Sequence, residues 1–450
     1  MAIDPDDLKT CLAVLAQLGE LPVEHPDAVA VRRATAGIFK SVKERRRAER
    51  RAAVAAADRA VMEATATAAP GRIDDETAGI PLVSTVPGAT AGTLIRARPC
   101  YQCKAKYTQV DAFYHQLCPA CAALNRERRE ARADLQGRRA LLTGGRAKIG
   151  MYIALRLLRD GAHTTITTRF PKDASRRFAS MPDAGDWLDR LEIVGIDLRQ
   201  PGQVVALADQ VAAAGPLDIL INNACQTVRR SPDAYALLVA GEAEALKPSP
   251  PTPSVTELGA AHDLHPVTTL ALTARSTAID AGGLVPDEVD HNSWTQAVDE
   301  VDPVELLEVL LCNTTAPFLL ISRLRAALAA SPARRTYVVN VSAMEGSFGR
   351  GYKGPGHPHT NMAKAALNML TRTSAYELLE TDGILMTSVD TGWITDERPH
   401  ATKVRLAEQG FHAPLDLSDG AARVYDPIVR GEAGEDVFGV FLKDYAPAPW

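Results

Sequence analysis

Short apolar runs alternate with stretches of helical periodicity over the last two thirds of the chain. Runs of aliphatic and β-branched residues predict strands, and apolar residues that recur every three or four positions predict helices. The predicted strands cover residues 140–142, 164–168, 191–198, 217–224, 335–342, 384–390 and 437–442. The predicted helices cover residues 151–160, 204–214, 303–330, 362–380 and 417–429. This alternation predicts right-handed βαβ units, and therefore an α/β protein with a doubly wound parallel sheet.

The first part of the chain has a different pattern. An N-terminal segment, residues 1–66, is predicted to be helical, with helices at 5–18 and 27–66. Residues 67–95 mix Pro, Gly, Thr and Ala without periodicity, which is typical of a linker. The charged run 125–134 predicts one more helix, which leads into the first strand of the sheet at about residue 135.

Composition narrows the class of protein, and charge adds one local feature. The chain has 450 residues, of which 46% are hydrophobic and 23% charged, so it can bury a large core. Its net charge of −5 argues against a general affinity for nucleic acid. Residues 32–59, however, carry ten basic and three acidic side chains. We interpret this segment as a solvated or partner-facing helix, with binding of nucleic acid or of an acidic protein as the alternative.

The hydropathy pattern also bears on location. No apolar run in the sequence approaches the ~18–20 residues that span a membrane. The first ten residues lack the charged start and apolar stretch of a secretory signal. We therefore expect a cytoplasmic protein that makes no membrane contact.

The cysteines predict a metal site in residues 96–124. Four of the seven form two C-x-x-C pairs; these are Cys100, Cys103, Cys118 and Cys121. Each pair can present two thiolates to one ion, and two pairs complete a tetrahedral shell. The pattern predicts a small ribbon around a structural Zn²⁺, with a redox-active dithiol pair as the alternative. His115 lies between the pairs and is expected on the surface, because the cysteines already fill the shell.

A glycine-rich turn follows the first predicted strand of the sheet. Thr143, Gly144 and Gly145 form this turn, and the helical pattern begins shortly after it. A strand that ends at glycines and continues into a helix directs free N–H groups and the positive end of the helix dipole at one spot. That spot suits a phosphate group.

From about Leu135 to Trp450 the order of motifs resembles the short-chain dehydrogenase/reductase superfamily, whose members have a Rossmann-type sheet. The family's T-G-x-x-x-G-x-G motif matches residues 143–150, where Lys148 takes the place of the middle glycine. The family's N-N-A-G matches residues 222–225, which read Asn-Asn-Ala-Cys. The family's active-site asparagine, serine and lysine match Asn313, Ser342 and Lys364.

The resemblance implies a nicotinamide dinucleotide as cofactor. A carboxylate after the second strand of the sheet would favour NAD(H), but the chain has Arg169 there, with Arg146 and Lys148 in the glycine loop. NADP(H) is therefore favoured over NAD(H). The cofactor-binding residues that the resemblance implies are Thr143, Gly144, Gly145, Arg146, Lys148, Ile149, Gly150, Arg169, Asp197, Leu198, Asn223, Ala224, Lys364, Thr391, Gly392 and Thr395.

The catalytic Y-x-x-x-K motif of the family is incomplete. Lys364 is present, but Thr360 stands where the family has its tyrosine. An aliphatic hydroxyl is too weak an acid to exchange protons efficiently near neutral pH. The loop before it contains Tyr352, His357 and His359, any of which could replace the tyrosine. Either catalysis has moved to this loop, or hydride chemistry has been lost.

A long insertion separates two of the family motifs. Residues 229–301 lie where the family needs one helix, and they could form a lid, an oligomer contact or a flexible outgrowth. Asp290, His291 and Trp294 are its candidate functional residues.

Two functions follow from the sequence. The first is an NADP(H)-dependent oxidoreductase for an unidentified carbonyl or alcohol substrate with a non-standard proton donor. Its candidate catalytic residues are Asn313, Ser342, Tyr352, His359, Thr360 and Lys364. The second is a catalytically silent dinucleotide-binding protein that uses its zinc ribbon and basic helices to bind protein or nucleic acid. The resemblance also implies a homodimer or homotetramer, paired through the helices at 303–330 and 362–380.

Overall fold

A computed structural model describes residues 3–70, 72, 82–246, 253–258, 280, 282–286, 289–395 and 397–450. The described strands are β1 Thr90–Pro99, β2 Lys106–Asp111, β3 Arg139–Leu142, β4 His163–Thr168, β5 Leu191–Gly195, β6 Ile219–Asn222, β7 Ser254–Glu257, β8 Thr336–Ser342, β9 Ile384–Asp390, β10 Phe441–Lys443 and β11 Ala446–Ala448. The described helices are α1 Pro5–Gln17, α2 Pro26–Glu63, α3 Pro119–Glu130, α4 Lys148–Arg159, α5 Pro171–Ala179, α6 Pro201–Ala213, α7 Ala236–Ala243, α8 Pro303–Leu310, α9 Ala316–Ala329, α10 Pro358–Asp382, α11 His400–Glu408 and α12 Leu417–Glu432.

The main sheet confirms the predicted α/β class. Among the described residues its strand order is β11-β10-β9-β8-β6-β3-β4-β5-β7, and the neighbours from β10 to β7 run parallel. The order reverses between β3 and β6, because β4 and β5 extend the sheet in one direction and β8 to β10 in the other. Ligands of open α/β sheets bind at such a switch point, beyond the carboxyl ends of the strands.

Helices cover both faces of the sheet. α4 and α12 pack in one apolar cluster, and α6, α9 and part of α10 pack in the other. Strands β6, β8 and β9 are buried along their whole length, which explains their nearly continuous apolar sequence. This packing fixes the carboxyl ends of the strands, where the motif residues lie.

The helical stretch Pro303–Ala329 is long and apolar enough to cross a membrane, by length and composition alone. This stretch contains no uninterrupted apolar run of that length, because charged side chains such as Glu308 and Arg323 divide it. In the structure a π turn joins α8 to α9 within the stretch that the sequence predicted as one helix. Helix α9 packs against α6 and β8 in the core of the fold.

The cysteine segment forms an antiparallel hairpin of β1 and β2 followed by α3. Its residues Tyr114 and Leu117 belong to the same apolar cluster as Met151 of α4. Buried ion pairs join it to α12, because Arg129 contacts both Asp416 and Asp419. The ribbon and the sheet therefore share one core.

Two stretches differ from their predicted structure. Inside the predicted linker 67–95, β1 already begins at Thr90, and the N–H groups of Ala66 and Thr67 donate to carbonyl groups of the ribbon. The composition of this stretch is typical of a linker and does not reveal these contacts with the ribbon. Within the insertion 229–301, α7 and β7 are ordered elements, and β7 pairs in parallel with β5. A four-residue strand is too short to give a recognisable period.

The long helix α2 extends away from the rest of the molecule. Its last turns are held because the Asp58 carboxylate accepts hydrogen bonds from the N–H groups of Ile95 (2.6 Å) and Arg96 (3.2 Å). Between residues 32 and 53 every side chain except Val42 is exposed. The basic segment identified in the sequence is therefore a solvent-exposed helical arm.

Candidate active site

Three glycines allow the turn after β3 to pass close to its neighbours. A Cβ on Gly150 would lie 2.0 Å from the Gly144 carbonyl oxygen, and one on Gly145 would lie 2.6 Å from the Ile166 Cβ. Gly144 has a positive φ of 71°, and a Cβ there would lie 2.9 Å from the Ala224 Cα. Any side chain at these positions would force the loop open.

The end of β6 holds the glycine loop in place. The Asn223 side-chain amide donates to the carbonyl groups of Thr143 and Gly144, both at 3.1 Å. The Thr143 hydroxyl accepts from the backbone N–H groups of Asn223 and Ala224, both at 3.0 Å. The structure thus brings together the two motifs that the sequence singled out, across the switch point of the sheet.

Lys148, at the position of the family's middle glycine, has a left-handed backbone conformation. Its φ is 53°, in the left-handed region, and it is the first residue of α4, directly before Ile149. Its Nζ lies 3.2 Å from an Asp280 carboxylate oxygen of the insertion. Ala147, the N-cap of α4, supplies no side-chain hydrogen bond to the helix N-terminus. The chain therefore keeps the loop shape at the cost of a strained lysine.

Two arginines flank one aromatic ring beside this loop. The guanidinium carbons of Arg146 and Arg169 lie 5.4 and 5.6 Å from the centre of the Phe170 ring. Arg169 also lies 4.8 Å from the Tyr235 ring, and its Nη2 donates to the Tyr235 hydroxyl at 3.1 Å. Sequence reasoning missed Tyr235, which lies on the insertion and has no motif around it. The arrangement is a cationic pocket with aromatic walls.

One carboxylate partly neutralises this pocket. Asp173 pairs with Arg146 at 2.5 Å and with Arg177 at 2.7 Å. Burial raises the pKa of Asp173, but the two guanidinium groups outweigh it, so the pKa lies below its usual range. The Asp173 carboxylate therefore offsets part of the positive charge of Arg146 and Arg177.

Asp197 is already engaged by the chain itself. Its two oxygens accept bonds from the Arg199 guanidinium, at 3.0 Å from Nε and 2.5 Å from Nη2. Burial raises the pKa of Asp197, but these bonds with Arg199 outweigh it and hold the pKa low. The next residue, Leu198, is buried in the core.

The loop after β9 carries the remaining cofactor candidates. Thr391 follows the last strand residue, and Gly392 has a φ of 79°. A Cβ on Gly392 would lie 2.6 Å from the Leu415 side chain, so this position also requires glycine. The Thr395 hydroxyl donates to the Glu397 carboxylate at 3.0 Å.

The family's asparagine and lysine are held by backbone contacts. Asn313 lies in the five-residue π turn Leu311–Thr315; its oxygen accepts from the Gln226 N–H at 2.7 Å and its amide donates to the Gln226 carbonyl at 3.0 Å. Insertions of this kind are frequent at functional sites. The Lys364 ammonium is buried and donates to the Val341 carbonyl at 2.7 Å, next to Ser342.

A group of buried polar atoms lies at the end of β8 and the start of α10. The Ser342 hydroxyl, the Thr360 hydroxyl and both ring nitrogens of His359 have no hydrogen-bond partner among the described residues. His359 is only 1% exposed. Buried polar atoms are nearly always hydrogen-bonded, so these groups mark a candidate position for a ligand.

An acid that the sequence analysis did not identify lies beside His359. Glu305, buried in the first turn of α8, has Oε1 3.8 Å from the His359 Nε2. Burial lowers the pKa of His359, and the Glu305 carboxylate opposes this effect without reversing it. His359 is thus neutral near pH 7, while a carboxylate remains available to stabilise its protonated form.

The other two loop candidates have different surroundings. Tyr352 is 76% exposed, and the structure does not bring it into the buried group. His357 is the N-cap of α10; its Nδ1 lies 2.9 Å from the Trp294 carbonyl oxygen, and its ring stacks on the Trp294 ring at 3.9 Å. Trp294 therefore anchors the loop before α10 to the insertion, whereas Asp290 and His291 are exposed.

The four cysteines of the ribbon converge as the sequence predicted. The sulfur atoms of Cys100, Cys103, Cys118 and Cys121 all lie within 4.8 Å of one another. Four sulfurs at about 2.3 Å from one tetrahedral ion would be about 3.8 Å apart, so the spacing fits a metal. Hydrogen bonds, the largest from the Ala105 backbone, lower the pKa of the exposed Cys103 thiol to about 7, whereas burial raises the pKa of Cys118 and of Cys121.

His115 is not a surface residue, contrary to the expectation from the sequence. It is buried, its Nδ1 lies 2.8 Å from the Thr67 hydroxyl, and its Nε2 lies 2.9 Å from the Gln116 amide nitrogen. The expectation failed because the ribbon packs against the turn at residues 66–68, which the sequence did not indicate. Burial lowers the pKa of His115 to about 3, so the ring is neutral.

Comparison with known proteins gives one match to a family model. The model of the short-chain dehydrogenases matches residues 138–236. An uncharacterised protein of Acanthamoeba polyphaga mimivirus is 32% identical over 349 residues, which cover 74% of this chain and 71% of that protein. A short-chain type dehydrogenase/reductase of Picea abies is 36% identical over 104 residues, which cover 22% of this chain and 38% of that protein.

Solved structures include similar sheets. A short-chain dehydrogenase of Burkholderia cenocepacia in complex with NADP aligns over 69% of this chain and 96% of its own, with 22% identity and a TM-score of 0.45.

Proposed function

Because this chain belongs to the short-chain dehydrogenase/reductase superfamily, we propose that it is an NADP(H)-dependent oxidoreductase acting on a carbonyl or alcohol substrate. One observation carries the proposal, namely the buried group of Ser342, His359 and Thr360, whose polar atoms lack partners within the described residues. Leaving such atoms unpaired costs about 1–3 kcal/mol each. A bound molecule would recover that free energy.

The proposal assigns the proton to His359. Nicotinamide, when bound, supplies or accepts the hydride at the substrate carbon. The Ser342 hydroxyl would donate a hydrogen bond to the substrate oxygen. The protonated form of His359, stabilised by the Glu305 carboxylate, would give that oxygen a proton during reduction, and the neutral form would remove it during oxidation, so that a carbonyl, a hydride and a proton balance an alcohol. Imidazole can do this near neutral pH, whereas the Thr360 hydroxyl cannot.

The preference for NADP(H) rests on the cationic pocket. Arg146 lies in the glycine loop, Arg169 follows β4 directly, and both guanidinium groups lie against the Phe170 ring. A 2′-phosphate would gain charge-assisted hydrogen bonds from guanidinium groups that a hydroxyl cannot match.

The ribbon is proposed to hold one structural Zn²⁺. All four positions of a tetrahedral shell would be filled by thiolates, which leaves none for a reacting ligand. The packing of the ribbon in the same apolar cluster as α4 supports a structural role.

The alternative is a dinucleotide-binding protein without catalysis. Thr360 in place of the tyrosine favours it, and the exposed basic arm on α2 would then offer a surface for a protein or nucleic acid.

Measurements on the full chain distinguish the two. We expect NADPH to bind, as followed by its fluorescence, and to be oxidised in the presence of at least one member of a panel of aldehydes and ketones. Binding without turnover across the carbonyl panel and the matching alcohol panel would favour the silent protein. No binding of either dinucleotide would reject both functions.

A further inference from the structure

The two residues between the first pair of cysteines contact the nucleotide-binding part of the molecule. Tyr101 lies directly after Cys100, and its hydroxyl accepts a hydrogen bond from the Trp393 N–H at 2.9 Å. Trp393 belongs to the loop 391–395 that follows β9. The ribbon thus contacts the segment that carries Thr391, Gly392 and Thr395.

Gln102, the second of these residues, also contacts a segment outside the ribbon. The Gln102 amide donates to the Asp444 carbonyl at 3.3 Å, and its oxygen accepts from Asn125 at 2.8 Å. Asn125 in turn accepts from the buried Arg423, which also pairs with the Asp444 carboxylate at 3.1 Å. The Tyr101 hydroxyl and the Gln102 amide are therefore held by Trp393, after β9, and by Asp444, after β10.

The backbone of Tyr101 is held by the segment that leads into the second pair of cysteines. Its N–H donates to the Gln116 carbonyl at 2.8 Å, and the Cys118 N–H donates to the Cys100 sulfur at 3.3 Å. A metal bound to the four thiolates would fix the turn Cys100–Cys103 against Cys118 and Cys121. The direction of the Tyr101 side chain follows from the geometry of that turn.

The loop that Tyr101 contacts adjoins the candidate active site. Asp390, the residue before the loop, is the register partner of Ser342 across β8 and β9. Asp390 pairs with Lys443 of β10 at 3.0 Å, so the strand end itself is held firmly. Trp393 lies three residues farther on, beyond Gly392, where the backbone no longer pairs with a strand. Tyr101 supplies the hydrogen bond for this part of the loop.

We propose that Tyr101 is a positioning residue that links the metal state of the four-cysteine cluster to the loop 391–395 and so to the affinity for dinucleotide. The link to affinity rests on the proposed function, because only that function assigns the loop to the cofactor. The link between the cluster and the loop does not, and it can be measured without any dinucleotide.

The first test removes one hydroxyl. In Tyr101→Phe the ring remains, and only the acceptor for the Trp393 N–H is lost. We expect hydrogen exchange of the Trp393 amide to become roughly tenfold faster and the dissociation constant for NADPH to rise about fivefold, as for one lost hydrogen bond of ordinary strength. Metal content should stay unchanged.

The matched control is Tyr107→Phe in the same ribbon. The Tyr107 hydroxyl donates to the His115 carbonyl at 2.8 Å, within the ribbon itself. The control variant should leave Trp393 exchange and NADPH affinity at the values of the unmodified chain. Equal exchange of the Trp393 amide in Tyr101→Phe and in the unmodified chain would overturn the proposal.

The second test removes the metal from the full chain with a chelator. Exchange across residues 391–395 should rise, and restoring Zn²⁺ should reverse it. In Tyr101→Phe the same treatment should add little, because the link is already broken. Unchanged exchange of the loop in metal-free protein would refute the link. If the unmodified chain binds no dinucleotide, the proposed function fails while these exchange results still decide the link.

Discussion

The Nε2 atom of His359 lies 3.8 Å from the Oε1 atom of Glu305, although the two residues belong to different helices. Both side chains are buried, and the His359 ring nitrogens, like the Ser342 hydroxyl, have no hydrogen-bond partner among the described residues. A buried imidazole next to a carboxylate can take up a proton at a lower free-energy cost than one without it. This pair therefore gives the candidate active site a proton-transfer group of a kind that Thr360 cannot supply.

The pH dependence of alcohol oxidation should report on this pair. Burial, the largest effect, lowers the pKa of His359 below its usual 6.5. The neutral, basic form then predominates at pH 7, so kcat for oxidation should be flat above the usual imidazole pKa and fall as the pH drops through the lowered pKa. A His359→Gln variant should lose this dependence. A kcat that instead rises through about pH 9–10, as for a tyrosine, would contradict the assignment.

Substitution separates His359 from its neighbours on the loop. His359→Ala should reduce kcat by ~10²–10⁴-fold, the usual contribution of a positioned acid or base, with little change in NADPH affinity. Tyr352→Phe is the matched control, because its hydroxyl is exposed, and it should keep full turnover. Steady-state kinetics and fluorescence binding measure the two quantities. Loss of turnover in Tyr352→Phe alone would show that the proton belongs to the tyrosine instead.

Cofactor preference should depend on Arg169. NADPH should bind more tightly than NADH, and Arg169→Ala should narrow the ratio of the two dissociation constants by roughly tenfold, as for a charge-assisted contact of about 1–2 kcal/mol. Arg159→Ala serves as the control, since its partner Asp183 belongs to a surface pair. Equal affinities for the two dinucleotides in the unmodified chain would reject the preference.

Metal content tests the ribbon. Protein purified without added metal should contain about one equivalent of zinc by elemental analysis. A variant with both Cys100→Ser and Cys103→Ser should lose it and unfold at a lower temperature, because the ribbon shares its apolar core with α4. Full metal content in that double variant would exclude a site built from the four cysteines.

We expect a homodimer that pairs through α9 and α10. Met362, Met369 and Tyr376 of α10 are each more than half exposed and recur every seven residues, so they line one face. Phe318 of α9 is similarly exposed. Met369→Arg should shift light scattering at micromolar concentration toward the monomer, whereas Val298→Arg, at another exposed apolar position, should not. A monomer in the unmodified chain would contradict this expectation.

The sheet could be predicted because its strands are short apolar runs bounded by turn-forming residues. The predicted strand 384–390 agrees with β9 at both ends, and the glycine turn follows the first strand of the main sheet, as predicted. The cysteine cluster could be predicted as well, since two C-x-x-C pairs leave few other arrangements. In each case the information is local in sequence.

Other features depend on contacts between distant residues. Glu305 is an ordinary acid in a helical pattern until α8 packs against α10 and buries it beside His359. Tyr235 likewise becomes part of the cationic pocket only when the insertion covers Arg169. No periodicity or motif encodes such pairs, because they are set by tertiary packing.

Buried polar contacts hold the ribbon against α12. Arg129 lies against the buried Asp416 and Asp419 of α12, and Asn125 holds the buried Arg423. Removal of the first 134 residues would take away the Arg129 partner of Asp416 and Asp419 and would expose the apolar surface that the ribbon covers. The stretch that resembles the family is therefore not a unit that could be exchanged by itself. We therefore expect ribbon and sheet to unfold together, as one cooperative unit.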